Sequence, residues 1–125
     1  MNIDIEKLDS ITQELKNTLK DGLLGSDIFD RTSGLSLSSF NSQPAASALF
    51  AEVTNVIVST LSDSGFPGLK RYYLVDLEND NSVMVVRHGN DLLQGILMNS
   101  QKVNLGILLS VALPKVLAGV EKART

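Results

Sequence analysis

The chain has 125 residues, a formal net charge of −3, 43% hydrophobic residues and 20% charged residues. This composition is typical of one globular domain over residues 1–125. It argues against a disordered chain, and the lack of a basic excess argues against nucleic-acid binding. The chain has no cysteine, which excludes disulfides and thiolate metal sites.

The first predicted element is an amphipathic helix from about Asp4 to Leu19, where apolar residues recur at steps of three and four. Two short, partly alternating segments follow, Leu23–Phe29 and Leu35–Phe40. The residues DRTSG between them supply turn chemistry. We therefore predict a β-hairpin with a rather long loop.

A middle helix is predicted from Pro44 to Leu61, with Asn41 or Ser42 as its N-cap. Three strands are predicted after it, because three segments rich in aromatic, branched and aliphatic residues are separated by the turns ENDN and HGN. These strands are Leu69–Leu77, Ser82–Arg87 and Asp91–Met98.

A last helix is predicted from about Val103 to Lys122, and Pro114 inside it predicts a kink near Ser110–Leu113, where the proline ring displaces a backbone hydrogen bond. The element order α-β-β-α-β-β-β-α predicts an α+β fold, with one antiparallel sheet and helices on its faces. No apolar run reaches the roughly 20 residues of a membrane span, and the N-terminus lacks a signal-peptide pattern. We therefore expect a cytoplasmic protein with no membrane insertion.

The middle helix contains one charge, Glu52, between Pro44 and Leu61. At about 100° per residue, one side collects bulky apolar residues that we predict to contact the sheet: Ala46, Leu49, Phe50, Val53, Ile57 and Leu61. The other side is small or weakly polar, which predicts an interface with another chain; the alternative is a solvated face of low charge. Its residues are Ala48, Ala51, Glu52, Asn55, Val58, Ser59 and Ser62.

Candidate catalytic and metal-binding residues are few. The single histidine, His88, lies in the predicted turn HGN, where we expect it to face solvent rather than act as a general base. The carboxylates Asp76, Glu78 and Asp80 lack the glycine and trailing glutamate of a calcium loop, so we predict a solvated hairpin tip. No phosphate-binding glycine motif is present. We therefore predict a non-enzyme without cofactor or metal.

The segment RHGNDLLQGILMNSQKVNLGIL, from Arg87 to Leu108, resembles the Roadblock family, which includes dynein light-chain Roadblock proteins and bacterial gliding-motility GTPase-activating proteins. It carries the turn glycine Gly89, the leucine-rich fifth strand, and the residues NLG that open the last helix. Weaker matches surround the first hairpin, at Gly25, Asp30 and Gly34. Two features depart from the family pattern: DRTSG is one residue longer than the usual turn, and Pro114 interrupts the last helix.

The resemblance implies a profilin-like sheet in the order 2-1-5-4-3, with the first and last helices on one face and the middle helix on the other. It also implies a dimer through the third strands, which adds Arg71 and Tyr73 to the predicted interface. The implied function is a non-catalytic scaffold or regulator of a Ras-like small GTPase, as a homodimer or with a related Roadblock protein. The alternative function is a profilin-like or PAS-like sensor that holds a small molecule between sheet and helix.

Overall fold

The computed structural model describes residues 2–125. Five strands form one antiparallel sheet in the order β2-β1-β5-β4-β3, which confirms the predicted fold class and strand order. The strands are β1 (Leu23–Asp30), β2 (Ser36–Phe40), β3 (Tyr72–Asp76), β4 (Asn81–His88) and β5 (Leu92–Asn99). The main helices are α1 (Ile5–Leu19), α2 (Pro44–Asp63) and α3, a helical run over residues 105–123.

Helix α1 begins where the sequence predicts it. The side chain of Asp4 accepts a hydrogen bond from the backbone N–H of Lys7 at 3.3 Å, which satisfies one of the unpaired donors of the first turn. Leu8, Ile11 and Leu15 lie at helical spacing and are buried. These residues form the stripe through which α1 packs on the sheet.

Helix α3 is irregular ahead of Pro114. The α-helical turn Leu105–Ile107 is followed by a π-helical segment, Leu108–Ala112, and then by α-helix from Leu113 to Ala123. A proline cannot donate a backbone hydrogen bond, and its ring crowds the carbonyl one turn earlier. The wider π turn accommodates this conflict, and it occupies the region for which the sequence predicts a kink.

The two faces of the sheet carry separate apolar clusters. Helices α1 and α3 cover a large cluster that includes Leu8, Ile28 and Met84. On the opposite face a small cluster, formed by Phe29, Val83, Val85 and Leu93, packs against Phe50 and Ala51 of α2. The placement of the three helices on the two faces is therefore as predicted.

Candidate protein interface

An apolar groove runs between α2 and β3. Its volume is about 160 Å³, and its lining residues are Leu49, Phe50, Val53, Tyr73, Val75, Leu77, Val83 and Val85. Several apolar side chains in or beside it are exposed: 55% of Leu49, 60% of Val56 and 44% of Leu77. A contiguous exposed apolar surface of this kind is a candidate interaction site. We call it the α2–β3 groove.

Strand β3, which forms one wall of this groove, is an edge strand. Among residues 2–125 its only strand neighbour is β4. The carbonyl of Arg71 accepts from the N–H of Arg87 at 2.7 Å, and the N–H of Leu77 donates to the carbonyl of Asn81 at 2.8 Å. Since bonding alternates along an antiparallel pair, the even-numbered residues 72, 74 and 76 direct their N–H and C=O groups away from β4. An apolar edge with free backbone groups invites strand pairing.

Hydrogen bonds fix the rotation of α2 on the sheet. The hydroxyl of Ser47 donates to Asp27 Oδ2 at 2.9 Å, and Thr54 Oγ1 lies 2.8 Å from the hydroxyl of Tyr73. Ser47 and Thr54 are the only residues of α2 that are buried among those described. The side of α2 that faces the sheet is therefore mixed: Ser47 and Thr54 are buried there, and Phe50 and Ala51 pack against the Phe29 cluster.

Phe50 packs against the backbone of β5 at Gly95. A Cβ atom at this position would lie 2.5 Å from the Phe50 ring, closer than any real contact. The glycine is needed here because the ring occupies the place of a side chain. This contact holds α2 close to the sheet near its N-terminal half.

Leu49, which we predicted to contact the sheet, lines the α2–β3 groove together with Val83 and Val85 of β4, but more than half of it is exposed. The positions of apolar residues along the helix could not identify the side that faces the sheet. Ser47 and Thr54 lie on that side because they form hydrogen bonds with Asp27 and Tyr73. The signal that was missed is a second apolar stripe at Leu49, Val53 and Val56, with spacings of four and three residues.

The nine predicted interface residues are divided by the structure. Five of them on α2 are exposed: Ala48, Glu52, Asn55, Ser59 and Ser62. Ala51 and Val58 are partly buried, and Ala51 packs against the Phe29 cluster. Arg71 is exposed at the start of β3, whereas Tyr73 turns its hydroxyl toward Thr54.

The polar flank of α2 faces away from β3. Asn55 accepts hydrogen bonds from Nε and a terminal nitrogen of Arg31 at 3.2 and 2.7 Å, and Arg31 follows β1. At about 100° per residue, Ala48 and Ser59 lie on the same side of the helix as Asn55, whereas Val53 lies on the side of the groove. The small residues and the α2–β3 groove are thus two different surfaces of one helix.

By length and composition alone, α2 is able to cross a membrane. It has 20 residues, and an 18-residue stretch within it has a mean hydropathy of 1.3 and is only 11% buried. A helix of this length that crossed a bilayer would carry its two ends about 30 Å apart, to opposite sides. In this fold both ends lead into strands of the same sheet, β2 and β3. The exposed apolar surface of α2 is therefore better explained by protein contact.

No protein-family model matches this sequence, and no curated protein matches it either. Solved structures do match. Myxococcus xanthus MglB shares the fold with a TM-score of 0.76 at 12% identity, covering 97% of this chain and 92% of that one. MglB from Thermus thermophilus has a TM-score of 0.70 at 15% identity, with 94% and 91% covered. A Roadblock/LC7 domain from Streptomyces avermitilis has a TM-score of 0.62 at 16% identity, with 91% and 92% covered.

The chain has the Roadblock fold. The resemblance stated from the segment Arg87–Leu108 is thereby confirmed at the level of the fold. The family resemblance implies that α2 and β3 form the binding surface. In this structure both elements carry exposed apolar residues.

In this Roadblock fold His88 is buried, so its prediction as a surface turn residue was wrong. Strand β4 extends through His88, and the turn begins at Gly89, whose φ is +65°. His88 is 5% exposed, and its Nε2 lies 2.9 Å from Oε1 of Gln94, which is fully buried. Burial lowers the pKa of His88, the largest effect on it. A neutral imidazole that donates to a buried amide is a structural element of the sheet rather than an exposed base.

The acidic residues do not form a metal site among the residues described. No group of three or more His, Asp or Glu side chains converges in residues 2–125. Asp76, Glu78 and Asp80 are exposed around the β3–β4 turn, as the sequence predicted. Asn79 and Asp80 have φ values of 61° and 57°, which is typical of a tight hairpin turn.

The space between sheet and middle helix is small. One cavity there has a volume of about 40 Å³ and lies beside Asp27, Ser47, Phe50 and Gly95, and the α2–β3 groove measures about 160 Å³. Both volumes are below the roughly 300–1,000 Å³ of pockets for small organic ligands. The larger cavities, about 420 and 280 Å³, lie elsewhere, near Lys102 and near Leu105. The Roadblock fold of this chain therefore does not favour the sensor alternative.

Proposed function

We propose that this chain is a non-catalytic, dimeric regulator or scaffold for a Ras-like small GTPase in the cytoplasm. The observation that carries the proposal is the α2–β3 groove beside the free edge of β3. The MglB and Roadblock structures support it through the fold, and the family resemblance supplies the class of partner.

The dimer is the first step of the proposal. Val75 of β3 and Leu77, the residue after the strand, are 38% and 44% exposed, and Leu49 and Val56 of α2 are more exposed still. Pairing of β3 with a second β3 would satisfy the free backbone groups and bring the groove of each chain against the other. Both the strand edge and the apolar flank of α2 would then leave water together, which favours association.

The GTPase would contact what remains exposed in the dimer. The outer and polar sides of α2 carry Ala48, Glu52, Asn55 and Ser59, which are small or polar. Transient partners commonly use surfaces that are no more apolar than the rest of the protein. In the dimer the outer sides of the two α2 helices would lie next to each other, with one polar flank at each far side of the pair, so that such a partner could contact either chain.

Regulation without catalysis is supported by the state of the arginines. Arg87 donates to the carbonyl of Leu69 at 2.9 Å, and Arg124 donates to the carbonyl of His88 at 3.0 Å. Arg31 is engaged by Asn55, and the exposed Arg71 precedes the β3 edge that the proposed dimer would cover. An arginine supplied to a GTPase must be free to enter its site. We therefore propose that any stimulation of hydrolysis acts by ordering the residues of the GTPase itself.

The test has two readouts. Sedimentation at micromolar concentration should give twice the 13.5 kDa chain mass, and a Ras-like GTPase encoded in the same genome should bind the dimer in its GTP form. Single-turnover GTP hydrolysis should change in the presence of the dimer. Hydrolysis that falls about 10³-fold when Arg31 and Arg71 are both replaced by Ala would show that an arginine is supplied after all. Absence of binding to every Ras-like GTPase of the genome would refute the GTPase proposal.

A further inference from the structure

A second apolar groove lies between β3 and the first turns of α3. Its volume is about 280 Å³, and its lining includes the apolar residues Leu74, Val103, Leu105 and Leu108 and the polar residues Asp76 and Ser100. Leu74 is 41% exposed and Leu105 is 53% exposed. We call this surface the β3–α3 groove.

The register of β3 places this groove on the face of the sheet that α1 and α3 cover. Leu74 pairs with Met84 of β4, which belongs to the large cluster beneath these two helices. Val83 and Val85, the neighbours of Met84 along the strand, belong to the small cluster beneath α2. Because side chains alternate between the faces of a sheet, the β3–α3 groove and the α2–β3 groove lie on opposite faces of the same strand.

Helix α3 encloses the groove on one side only. Leu108 is buried in the large cluster, whereas Leu105, less than one turn earlier, projects beyond the cluster and is exposed. Ile107 and Val111 of the same helix are exposed as well. A partner that covered the two leucines of the groove, Leu74 and Leu105, would remove apolar surface from water, and this favours association.

The rim of the β3–α3 groove is acidic. Asp76 lines it, and Asp80 is held beside it because the carbonyl of Asp80 accepts a hydrogen bond from the N–H of Ser100 at 2.7 Å. Glu78 lies in the same turn. None of these three carboxylates forms an ion pair within residues 2–125. Lys102, in the loop before α3, lines a different cavity beside the end of α1.

We infer that the β3–α3 groove binds a basic, amphipathic helix of a second protein. A helix that binds in a groove inserts apolar residues spaced three and four positions apart, and Leu74 and Leu105 form the surface that these residues would contact. Lys or Arg residues on the flank of that helix would pair with Asp76 and the neighbouring carboxylates. Interface charges of opposite sign favour one partner and one orientation over others.

Three other occupants fit this surface less well. A second copy of the chain carries a net charge of −3, so repulsion opposes its approach to the acidic rim. The same carboxylates oppose an anionic lipid surface. The groove volume of about 280 Å³ is below the roughly 300–1,000 Å³ of pockets for small organic ligands.

Peptide selection tests the inference without a known partner. A phage-displayed library of random peptides of about 16 residues, roughly four helical turns, is selected on the wild-type chain and counter-selected on Leu105→Lys. Enriched peptides should carry a net positive charge and apolar residues three and four positions apart. A neutral or acidic consensus would overturn the basic partner. A library without any peptide that distinguishes the two chains would overturn the groove as a docking site.

A synthetic copy of the most enriched peptide then measures the contribution of each wall by fluorescence anisotropy. Leu74→Lys should raise the peptide Kd about tenfold or more, because it places a charge of the same sign as the peptide among apolar side chains. Asp76→Asn should raise the Kd about threefold in low salt and much less in 1 M salt, where the Debye length is about 3 Å.

Matched controls use the same substitutions outside the groove. Val75→Lys, the next residue of β3, changes the opposite face of the sheet, and Asp63→Asn removes an exposed charge at the end of α2. Both should leave the peptide Kd within about twofold of wild type. Circular dichroism confirms that the variants fold. A peptide Kd that Val75→Lys raises and Leu74→Lys does not would place the peptide in the α2–β3 groove instead.

Sedimentation and vesicle binding separate this surface from the proposed function. Leu105→Lys should leave the mass of the proposed dimer and its GTPase binding unchanged, because Leu105 lies on the face opposite α2. A wild-type assembly larger than a dimer that Leu105→Lys dissolves would show that a second copy occupies the groove. Flotation with phosphatidylcholine–phosphatidylserine vesicles that Leu105→Lys abolishes would show a lipid surface there. Either result would overturn the helical partner.

Discussion

On one face of the sheet, α1 and α3 enclose a cluster in which Leu8 and Met84 have no exposed surface. On the other face, α2 covers a much smaller cluster around Phe29 and leaves Leu49 and Val56 more than half exposed. Burial of apolar surface is the main source of folding stability. The comparison shows that the first face carries most of the buried apolar surface, whereas the second face keeps apolar surface exposed, which the proposed dimer would cover.

The largest expected effect comes from a cavity in the apolar cluster beneath α1 and α3. Leu8→Ala should lower the free energy of unfolding by about 2–5 kcal/mol, because it leaves a cavity among well-packed side chains. Leu49→Ala, the same change on the other face, should cost the monomer less than about 0.5 kcal/mol. Urea denaturation at sub-micromolar concentration measures both. Equal losses would mean that the two faces do not differ as the burial indicates.

A smaller effect should follow from overpacking beneath α2. Gly95→Ala places a methyl group against the Phe50 ring and should cost about 1–3 kcal/mol. Phe50→Leu in the same chain should recover part of that loss, because the smaller side chain can move aside. A double-mutant cycle in urea gives the coupling. Strictly additive losses would show that the ring does not press on the strand.

The two flanks of α2 can be compared through neighbouring residues. Leu49→Lys should raise the dimer Kd at least tenfold, because it places a charge in the α2–β3 groove. Ala48→Lys, one residue earlier on the polar flank, should change the Kd less than about threefold. Circular dichroism confirms that both variants fold. A dimer that Ala48→Lys disrupts more strongly would place the interface on the polar flank, as the sequence alone predicted.

The smallest effect concerns pH. Burial lowers the pKa of His88 below its usual 6.5, so the unfolded chain binds a proton that the folded chain does not. The full contribution of neutral His88 to the free energy of unfolding is therefore present above pH 6.5. As pH falls below 6.5 the free energy of unfolding decreases, by at most about 1.4 kcal/mol per pH unit. His88→Gln should flatten the stability profile between about pH 5.5 and 7. An unchanged slope would mean that another group titrates there.

Local patterns were sufficient to predict the order of the elements, and the family resemblance implied the strand order and the faces of the helices, but neither showed the long-range polar contacts. The inner face of α2 is set by Ser47 and Thr54, whose partners Asp27 and Tyr73 lie on distant strands. His88 is buried because Gln94, on the neighbouring strand, receives its hydrogen bond. Periodicity detects apolar residues, so it could not assign polar residues to the interior.

Strand β3 is shorter than predicted for a related reason. The prediction began at Leu69, but the structure begins the strand at Tyr72. The carbonyl of Leu69 accepts a hydrogen bond from the side chain of Arg87 rather than from a strand. The apolar edge of β3 was nevertheless predicted.

The π-helical segment of α3 also corrects the phase of that helix. Behind the π-helical segment, the buried residues Leu113, Val116, Val120 and Ala123 have the spacings of three and four of a regular α-helix. Within the segment, Leu108 and Ala112 are buried four positions apart, and in a regular α-helix such a step rotates the side chain about 40° past the previous one. A π turn holds more than four residues, so it rotates the helix in the opposite sense over this step. One widened turn thus accommodates one extra residue, and deletion of a single residue from it should restore a regular α-helix whose two flanking parts still face the sheet.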